Sequence, residues 1–321
     1  GVETFGTEGK VDNTLLKVAS KLDDNNKISL SYDRLKDAGD YTPRPDFGRD
    51  YNYFRTQDYT FDTEYLRETI TFKHELDLGD NLRLDTSIYS NENELERYEI
   101  LDGTTPVRPP IGIDDNTKGL LNGKVKTLGI NTKAQTNLDF GDTFHTLTYG
   151  ALYDKQTSKV KWSGKQYGDD EEAKSFAVYI EDTIDFNNGL LVTPGLRYNY
   201  YDFDGSYGKI KDSHFTYGLA TEYAVNENLT LLASATSLYK GVEMVDVLAA
   251  NRANVSDNTD LKSETGLNKE IGFRYIKDST FGADTIGFSV KYFNTTIEDY
   301  IKQDWSSMSN MGELNTKGFE A

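Results

Sequence analysis

Short turns and long polar loops alternate along this chain, joining a dozen long stretches that read apolar–polar–apolar. The short connections are Asp23-Asp24-Asn25-Asn26, Leu78-Gly79-Asp80, Gly141-Asp142, Asn187-Asn188-Gly189, Asn226-Glu227 and Asp278 to Gly282. The long ones fall at 37–58, 99–117, 162–172, 205–212, 241–263 and 301–313. A meander with every short turn at one end and every long loop at the other is the pattern of a transmembrane β-barrel. A sandwich with Greek-key crossings would mix the two lengths at both ends.

The stretches between these connections have period two. In 176–186 one face carries Phe176, Val178, Ile180, Asp182, Ile184 and Phe186, and the other Ala177, Tyr179, Glu181, Thr183 and Asp185. In 215–225 Phe215, Tyr217, Leu219, Thr221, Tyr223 and Val225 oppose Thr216, Gly218, Ala220, Glu222 and Ala224. Ile70, Phe72, His74 and Leu76 form a similar column, as do Ile271, Phe273 and Tyr275, and Ile286, Phe288, Val290 and Tyr292. One apolar and one polar face per strand implies lipid on one side and a hydrated lumen on the other. A Lys or Arg at mid-depth on the lipid face would cost about 2–4 kcal/mol, and these columns contain none. Asp182 is the exception to the apolar rule, expected near an interface or at a bulge.

Composition agrees. Only 36% of the 321 residues are hydrophobic, and no run approaches the roughly 18 apolar residues of a membrane helix. A barrel needs lipid-facing residues only at alternate positions, so it tolerates this polarity. Tyr 22 and Phe 16 against Met 3 and Pro 6 suit strands and aromatic girdles. The absence of Cys is expected of a chain that crosses an oxidising compartment. A net charge of −18 argues against nucleic acid as a partner. That acidity suits either anionic loops holding divalent cations beside lipopolysaccharide or plain solubility in transit.

The pattern predicts twelve complete strands and the start of a thirteenth, at 11–22, 27–36, 59–77, 81–98, 118–140, 143–161, 173–187, 190–204, 213–226, 228–240, 264–278, 283–300 and from 314 onward. An odd count, a first strand that starts on the outer side, and no leader before Gly1 together predict a fragment of a larger barrel. Residues 1–321 are read as part of one barrel domain.

Four segments carry a family likeness. Tyr179-Ile180-Glu181-Asp182 precedes Pro194-Gly195-Leu196-Arg197-Tyr198 across a hairpin. Tyr239-Lys240-Gly241-Val242-Glu243-Met244 is followed by Asn258-Thr259-Asp260-Leu261-Lys262-Ser263-Glu264-Thr265 and then by Lys269-Glu270-Ile271-Gly272. Tyr292-Phe293 with Ile297-Glu298-Asp299-Tyr300-Ile301, and finally Lys317-Gly318-Phe319-Glu320-Ala321, complete the set. In this order the segments resemble the barrel of TonB-dependent outer-membrane receptors. The resemblance implies an all-β, antiparallel up-and-down transmembrane barrel, here about 13 of 22 strands, with an N-terminal plug domain outside these residues. It also implies active uptake of an iron chelate, with energy from TonB. The family's prolines are missing at 242–244, Thr259 and Ser263. Haem receptors of the family carry a His between the two middle segments, and Tyr239 to Glu264 contains none, which favours a ferric siderophore over haem.

Ferric siderophores are anionic and ringed with flat groups, so Arg, Tyr and Trp in outer loops are the natural contacts. The candidates are Tyr41, Arg44, Arg49, Tyr51, Tyr53 and Arg55, then Arg108, Trp162 with Lys165 and Tyr167, and Arg252. The competing reading places these side chains in an aromatic girdle or against lipid headgroups. Of the three histidines, His74 and His145 lie near short turns, and His214 lies just below an outer loop within reach of a ligand. Gly168-Asp169-Asp170-Glu171-Glu172 and Asp114-Asp115 lack the spacing of a calcium loop and read as solvated acidic loops. No nucleophile elbow, phosphate-cradling loop or zinc spacing is present, so no catalytic residue, resident metal or cofactor is expected. The expected partners are the iron siderophore or haem, TonB through the plug, and outer-membrane lipid with lipopolysaccharide, around a monomer. A passive porin, an adhesin and a rim enzyme are the remaining alternatives, and a porin has no need of the paired segments at 239–265.

Overall fold

The structure, a computed structural model, describes residues 8–41, 59–80, 82–101, 105–106, 120–162, 165–166, 170–205, 208–242, 258–280, 283–303 and 308–321. Thirteen strands form one antiparallel path. They begin β1 (Glu8–Lys21), β2 (Asn26–Tyr41), β3 (Tyr59–Asp77) and β4 (Arg83–Leu101). After the two-residue β5 (Thr105–Pro106) come β6 (Leu120–Asp139) and β7 (Phe144–Trp162), and after β8 (Lys165–Gln166) come β9 (Glu171–Asp185), β10 (Leu190–Gly205), β11 (Gly208–Ala224) and β12 (Leu229–Lys240). The chain continues through β13 (Glu264–Thr280) and β14 (Ala283–Glu298), a small hairpin β15 (Ile301–Gln303) and β16 (Met308–Asn310), and β17 (Leu314–Glu320). Each strand of the path pairs with its neighbours in chain order, while β5 and β8 extend β4 and β7 and β15–β16 stands apart. Among the described residues β1 pairs only with β2, and β17 only with β14, so the sheet is an unclosed segment of a barrel.

The short turns share one chemical device. Five of the six open with an Asp or Asn whose side-chain oxygen accepts a backbone N–H two residues on: Asp23 from Asn25, Asp77 from Gly79, Asp139 from Gly141, Asp185 from Asn187, and Asn226 from Asn228. That Asx turn satisfies donors the strands leave behind. Gly79, Gly141 and Gly189 supply the positive φ the reversals require.

Alternation then sorts the side chains. Leu30, Phe72, Ile88, Ile130, Tyr153, Phe176, Leu196, Phe215 and Phe288 all stand exposed on one face. Gly129, Thr148, Ala177 and Asn199 lie buried on the other, as on the inside of a curved sheet. So large an exposed apolar surface is stable only against lipid or another apolar phase. Polar groups on the inner face satisfy one another: Arg67 with Asp33 (2.9 Å), Tyr65 with Asn93 (2.7 Å), Asn91 with Thr69 (2.7 Å), and Lys291 with Glu270 (3.4 Å).

Two expectations are corrected. The stretch 205–212 is no long loop: β10 and β11 run on and close tightly with Gly205 opposite Gly208. Its polar residues hide a period-two pattern. Phe203 and Ile210 are paired and buried inside, while Lys211–Asp202 and Lys209–Asp204 bridge the strands outside. Of the two settings expected for Asp182 the bulge is ruled out, because the β7–β9 register runs unbroken past it, three residues from the short-turn end of β9. Its carboxylate instead meets His145 of β7, Nδ1 to Oδ2 at 2.7 Å.

Candidate ligand wall and capped mouth

The turn at Asn187–Gly189 sets the β9–β10 register, which places Arg197 directly opposite Tyr179 on the inner face. Tyr179 lies across Gly150 of β7, where a β-carbon would collide with its phenol ring. The Arg197 guanidinium stands 5.8 Å from the centre of that ring, a cation–π arrangement. Arg197 Nε donates to Asn199 Oδ1 at 2.7 Å, and Asn199 Nδ2 donates to the His214 carbonyl at 3.3 Å. No carboxylate pairs with Arg197 among the described residues. Gly195 and Gly218 lie opposite one another and leave a shallow depression beside it, lined also by Glu181, Asn199, Thr216 and Thr236. A fixed cation backed by an aromatic ring, above a floor of small polar groups, is suited to hold a flat anion. Further round, Arg274 meets Glu222 at 3.5 Å. Glu181, Arg197, Glu222 and Arg274 therefore all occupy the inner wall.

Above this wall the chain folds inward. Ser237 of β12 turns its hydroxyl onto β11, accepting from Tyr217 N at 2.6 Å and donating to Tyr217 O at 3.0 Å. Regular β11–β12 pairing stops one residue earlier, at Gly218–Thr236. Beyond it Tyr239 stacks on His214, with ring centres 5.6 Å apart and planes 5° from parallel. Gly241 lies flat on the Tyr201 ring, and Val242 is wholly buried with Ala173, Phe203, Ile210 and Leu261. The segment Leu261–Glu264 is tied down from a second loop. Asn310 accepts from Lys262 N at 2.9 Å and donates to the Lys262 carbonyl at 2.9 Å and the Asp299 carbonyl at 2.6 Å. Glu264 accepts from Ile301 N at 2.8 Å. Both middle motif segments thus meet over the inner face in one apolar cap. Within it the Tyr239 hydroxyl and Ser263 Oγ are buried.

Of the loop candidates, Arg44, Arg49, Tyr51, Tyr53, Arg55, Arg108, Tyr167 and Arg252 lie outside the described residues. Tyr41 ends β2 opposite Phe61 and Trp162 ends β7 opposite Leu121; their side chains also lie outside. His74 bonds Asn26 at 2.9 Å near a short turn, and His214 sits within β11 rather than at its start. Asp170 and Glu172 are held by lysines, Asp170 by Lys159 and Glu172 by Lys155 and Lys174. Among the described residues no three His, Cys, Asp or Glu gather as a metal site. The Arg197–Tyr179 pair was not singled out from sequence, although counting outward from the Asn187–Gly189 turn brings the two together.

Residues 12–321 match the family model for the TonB dependent receptor-like β-barrel. The chain belongs to the TonB-dependent receptor family. This is a family of outer-membrane transport receptors. Curated relatives include the ferric enterobactin receptor of Pseudomonas aeruginosa, 25% identical over 243 residues that make up 66% of this chain and 31% of the relative. Another is heme/hemopexin utilization protein C of Haemophilus influenzae, 26% identical over 271 residues, 77% of this chain and 35% of the relative. Among solved structures, the FrpB iron transporter of Neisseria meningitidis (F5-1 variant) superposes with a TM-score of 0.75 at 21% identity, over 96% of this chain and 50% of that one. The Serratia marcescens hemophore receptor HasR, solved with HasA and heme, gives 0.74 at 14%, over 96% and 51%. The chain thus spans about half the length of the receptors it matches, and the fold of their barrels is its fold.

Proposed function

We propose that this chain is barrel wall and mouth of an outer-membrane receptor that binds an iron chelate and imports it with energy supplied by TonB. The observation that carries this reading is the inward cap. The segments 239–242 and 261–264 fold over a wall whose Arg197 has an aromatic backing and, among the described residues, no carboxylate partner. An anionic, flat chelate satisfies that wall, and the outer-loop residues Tyr41, Arg44, Arg49, Tyr51, Tyr53, Arg55, Arg108, Trp162, Tyr167 and Arg252 offer it further planar and cationic contacts. A ferric siderophore fits better than haem, because Tyr239 to Glu264 offers no imidazole to the iron. Haem is the second reading, favoured by His214 at the mouth and by the haem-utilization relatives. Neither reading gives the chain an enzymatic step.

The test uses the full-length receptor. Tryptophan quenching with a ferric catecholate and with haem, followed by iron uptake into cells with and without TonB, separates the possibilities. Expected is submicromolar binding of the ferric catecholate and uptake that stops when TonB is deleted. Haem bound with the higher affinity would replace the siderophore reading. Steady conductance of small solutes without TonB, and no binding of either chelate, would make the protein a passive pore.

A further inference from the structure

Opposite charges that lie close together on the inner wall generally pair. Lys73 meets Glu75 at 3.0 Å and Asp85 at 3.2 Å, and Arg274 of β13 reaches past β12 to Glu222 of β11 at 3.5 Å. Glu181 and Arg197 do not follow them. They stand on adjacent strands, one step apart in the register, with Cα atoms about 8 Å from each other. Yet they form no ion pair, and Glu181 has no hydrogen-bond partner among the described residues. The cause lies with Arg197. Its Nε is held by Asn199, on the loop side, and its guanidinium by the Tyr179 ring, which draws the cation off the carboxylate.

The gap between them is a trough with two unlike lips. Glu181, Gly195, Gly218 and Thr236 share one rung of the register across β9, β10, β11 and β12. The two glycines make its floor, and Glu181 rises at its edge, its Cβ only 3.4 Å from where a β-carbon at 195 would stand. Arg197, on the next rung toward the loops, supplies donors to the upper lip. The lower lip has Glu181 and, one rung further down, the hydroxyls of Thr183 and Thr193, 3.1 Å apart, whose free lone pairs accept. An anion alone satisfies Arg197 and is repelled by Glu181. An ammonium group carries three donors and no acceptor, so it complements the lower lip. A ligand with both charges fits the trough from lip to lip.

We propose that Glu181 is the specificity-determining counterpart of Arg197, and that the trough between them takes a dipolar group: the anionic edge of a flat chelate with a protonated amine beside it. Arg197 holds the negative edge, as it does for any anionic chelate. Glu181 then selects, among anionic chelates, those that carry an ammonium group. The inference deepens the chelate reading above and rests on it.

The test titrates the detergent-solubilised full-length receptor with two forms of one ferric tris-catecholate, read by tryptophan quenching. The first form carries a single primary alkylamine, protonated at neutral pH; in the second that amine is acetylated. The unaltered receptor is expected to bind the amine form at least tenfold more tightly, a readout independent of any substitution. In the Glu181→Gln variant the two forms should bind within twofold of each other. The Glu227→Gln variant, with the same change of charge at a short turn, should keep the full preference. Equal binding of the two forms by the unaltered receptor overturns the site. So does a preference that survives in Glu181→Gln, which would mean that Glu181 serves another part of the receptor, and so does one that is lost in Glu227→Gln, which would make it an effect of overall charge. If both forms bind equally well, only the dipolar trough has failed; if neither binds, the chelate reading has failed with it.

Discussion

Asp182 occupies a position between Ile180 and Ile184 where a lone carboxylate should not survive against lipid. Its Oδ2 accepts from His145 Nδ1, Thr143 Oγ1 lies 3.1 Å from the other ring nitrogen, and Phe140 meets the ring edge-on. Oδ1 is buried with no partner, so the pair is only half satisfied. Replacing His145 alone strands the acid, and His145→Ala should destabilise the receptor by about 1–3 kcal/mol. The double replacement H145L/D182L should recover most of that loss, since apolar substitutes for a buried pair are often neutral or better. Urea unfolding of the full-length receptor in lipid vesicles measures both. The column containing Asp182 was legible from alternation. Its partner was not, because β7 and β9 are joined by a long connection that fixes no register. A second residue-scale prediction concerns pH. The Asn26 side-chain amide and the N–H groups of Asn25 and Asn26 hold the Asp23 carboxyl below its ordinary 3.8. Because the folded value is the lower one, the turn's stabilisation is complete above the unfolded value and fades as pH falls through the folded one. Amide exchange at Asn25 should therefore accelerate, relative to its intrinsic rate, as pH falls below 3.8, and in Asp23→Asn that pH dependence should vanish.

At the scale of elements, the hairpin β10–β11 shows how composition misleads. The polar stretch 205–212 reads as a loop, yet its Lys209 and Lys211 face outward on a regular strand opposite Asp204 and Asp202, while Phe203 and Ile210 face in. The inner partners of that pair, Val242 and Leu261, arrive from more than thirty residues away, and no local pattern announces them. Phe203→Ala should cost about 3–5 kcal/mol of local stability, read as faster exchange at Val242 and Leu261 rather than as global unfolding. The cap's other tie is Asn310, whose side-chain amide mimics a strand backbone toward Lys262. Asn310→Ala should free the β15–β16 hairpin, raise exchange at the Lys262 amide, and weaken chelate retention by speeding its release. An unchanged Lys262 protection factor would show that the hairpin does not hold the cap. The two segments that meet here carried the family likeness in the sequence. What the sequence withheld was that they touch, and that a third loop fastens them.

At the scale of the molecule, strand number and pairing order followed from one principle, that short turns impose neighbours and period two imposes faces. Thirteen strands pair in chain order as that rule requires, and the inner wall around Arg197 then assembles from positions counted outward from the turns. The outer-loop candidates obey no such rule, since nothing in a long connection fixes where its Arg and Tyr go. The same rule carries a physical consequence for the chain alone. Among the described residues β1, with Leu16 and Val18 on its outward face, has no strand beyond it, and Val18 is 73% exposed. β17 leaves Phe319 76% exposed at the opposite edge. Open edges beside apolar surface are templates for intermolecular pairing. Closing one edge on the other would set two parallel strands side by side in an otherwise antiparallel sheet, a less stable ladder. Residues 1–321 refolded alone into detergent should therefore form sedimenting, thioflavin-positive assemblies, and the full-length receptor under the same conditions should run as a heat-modifiable band. A monodisperse, heat-modifiable species from the 321 residues would mean that the edges find each other after all, and that thirteen strands suffice for a barrel.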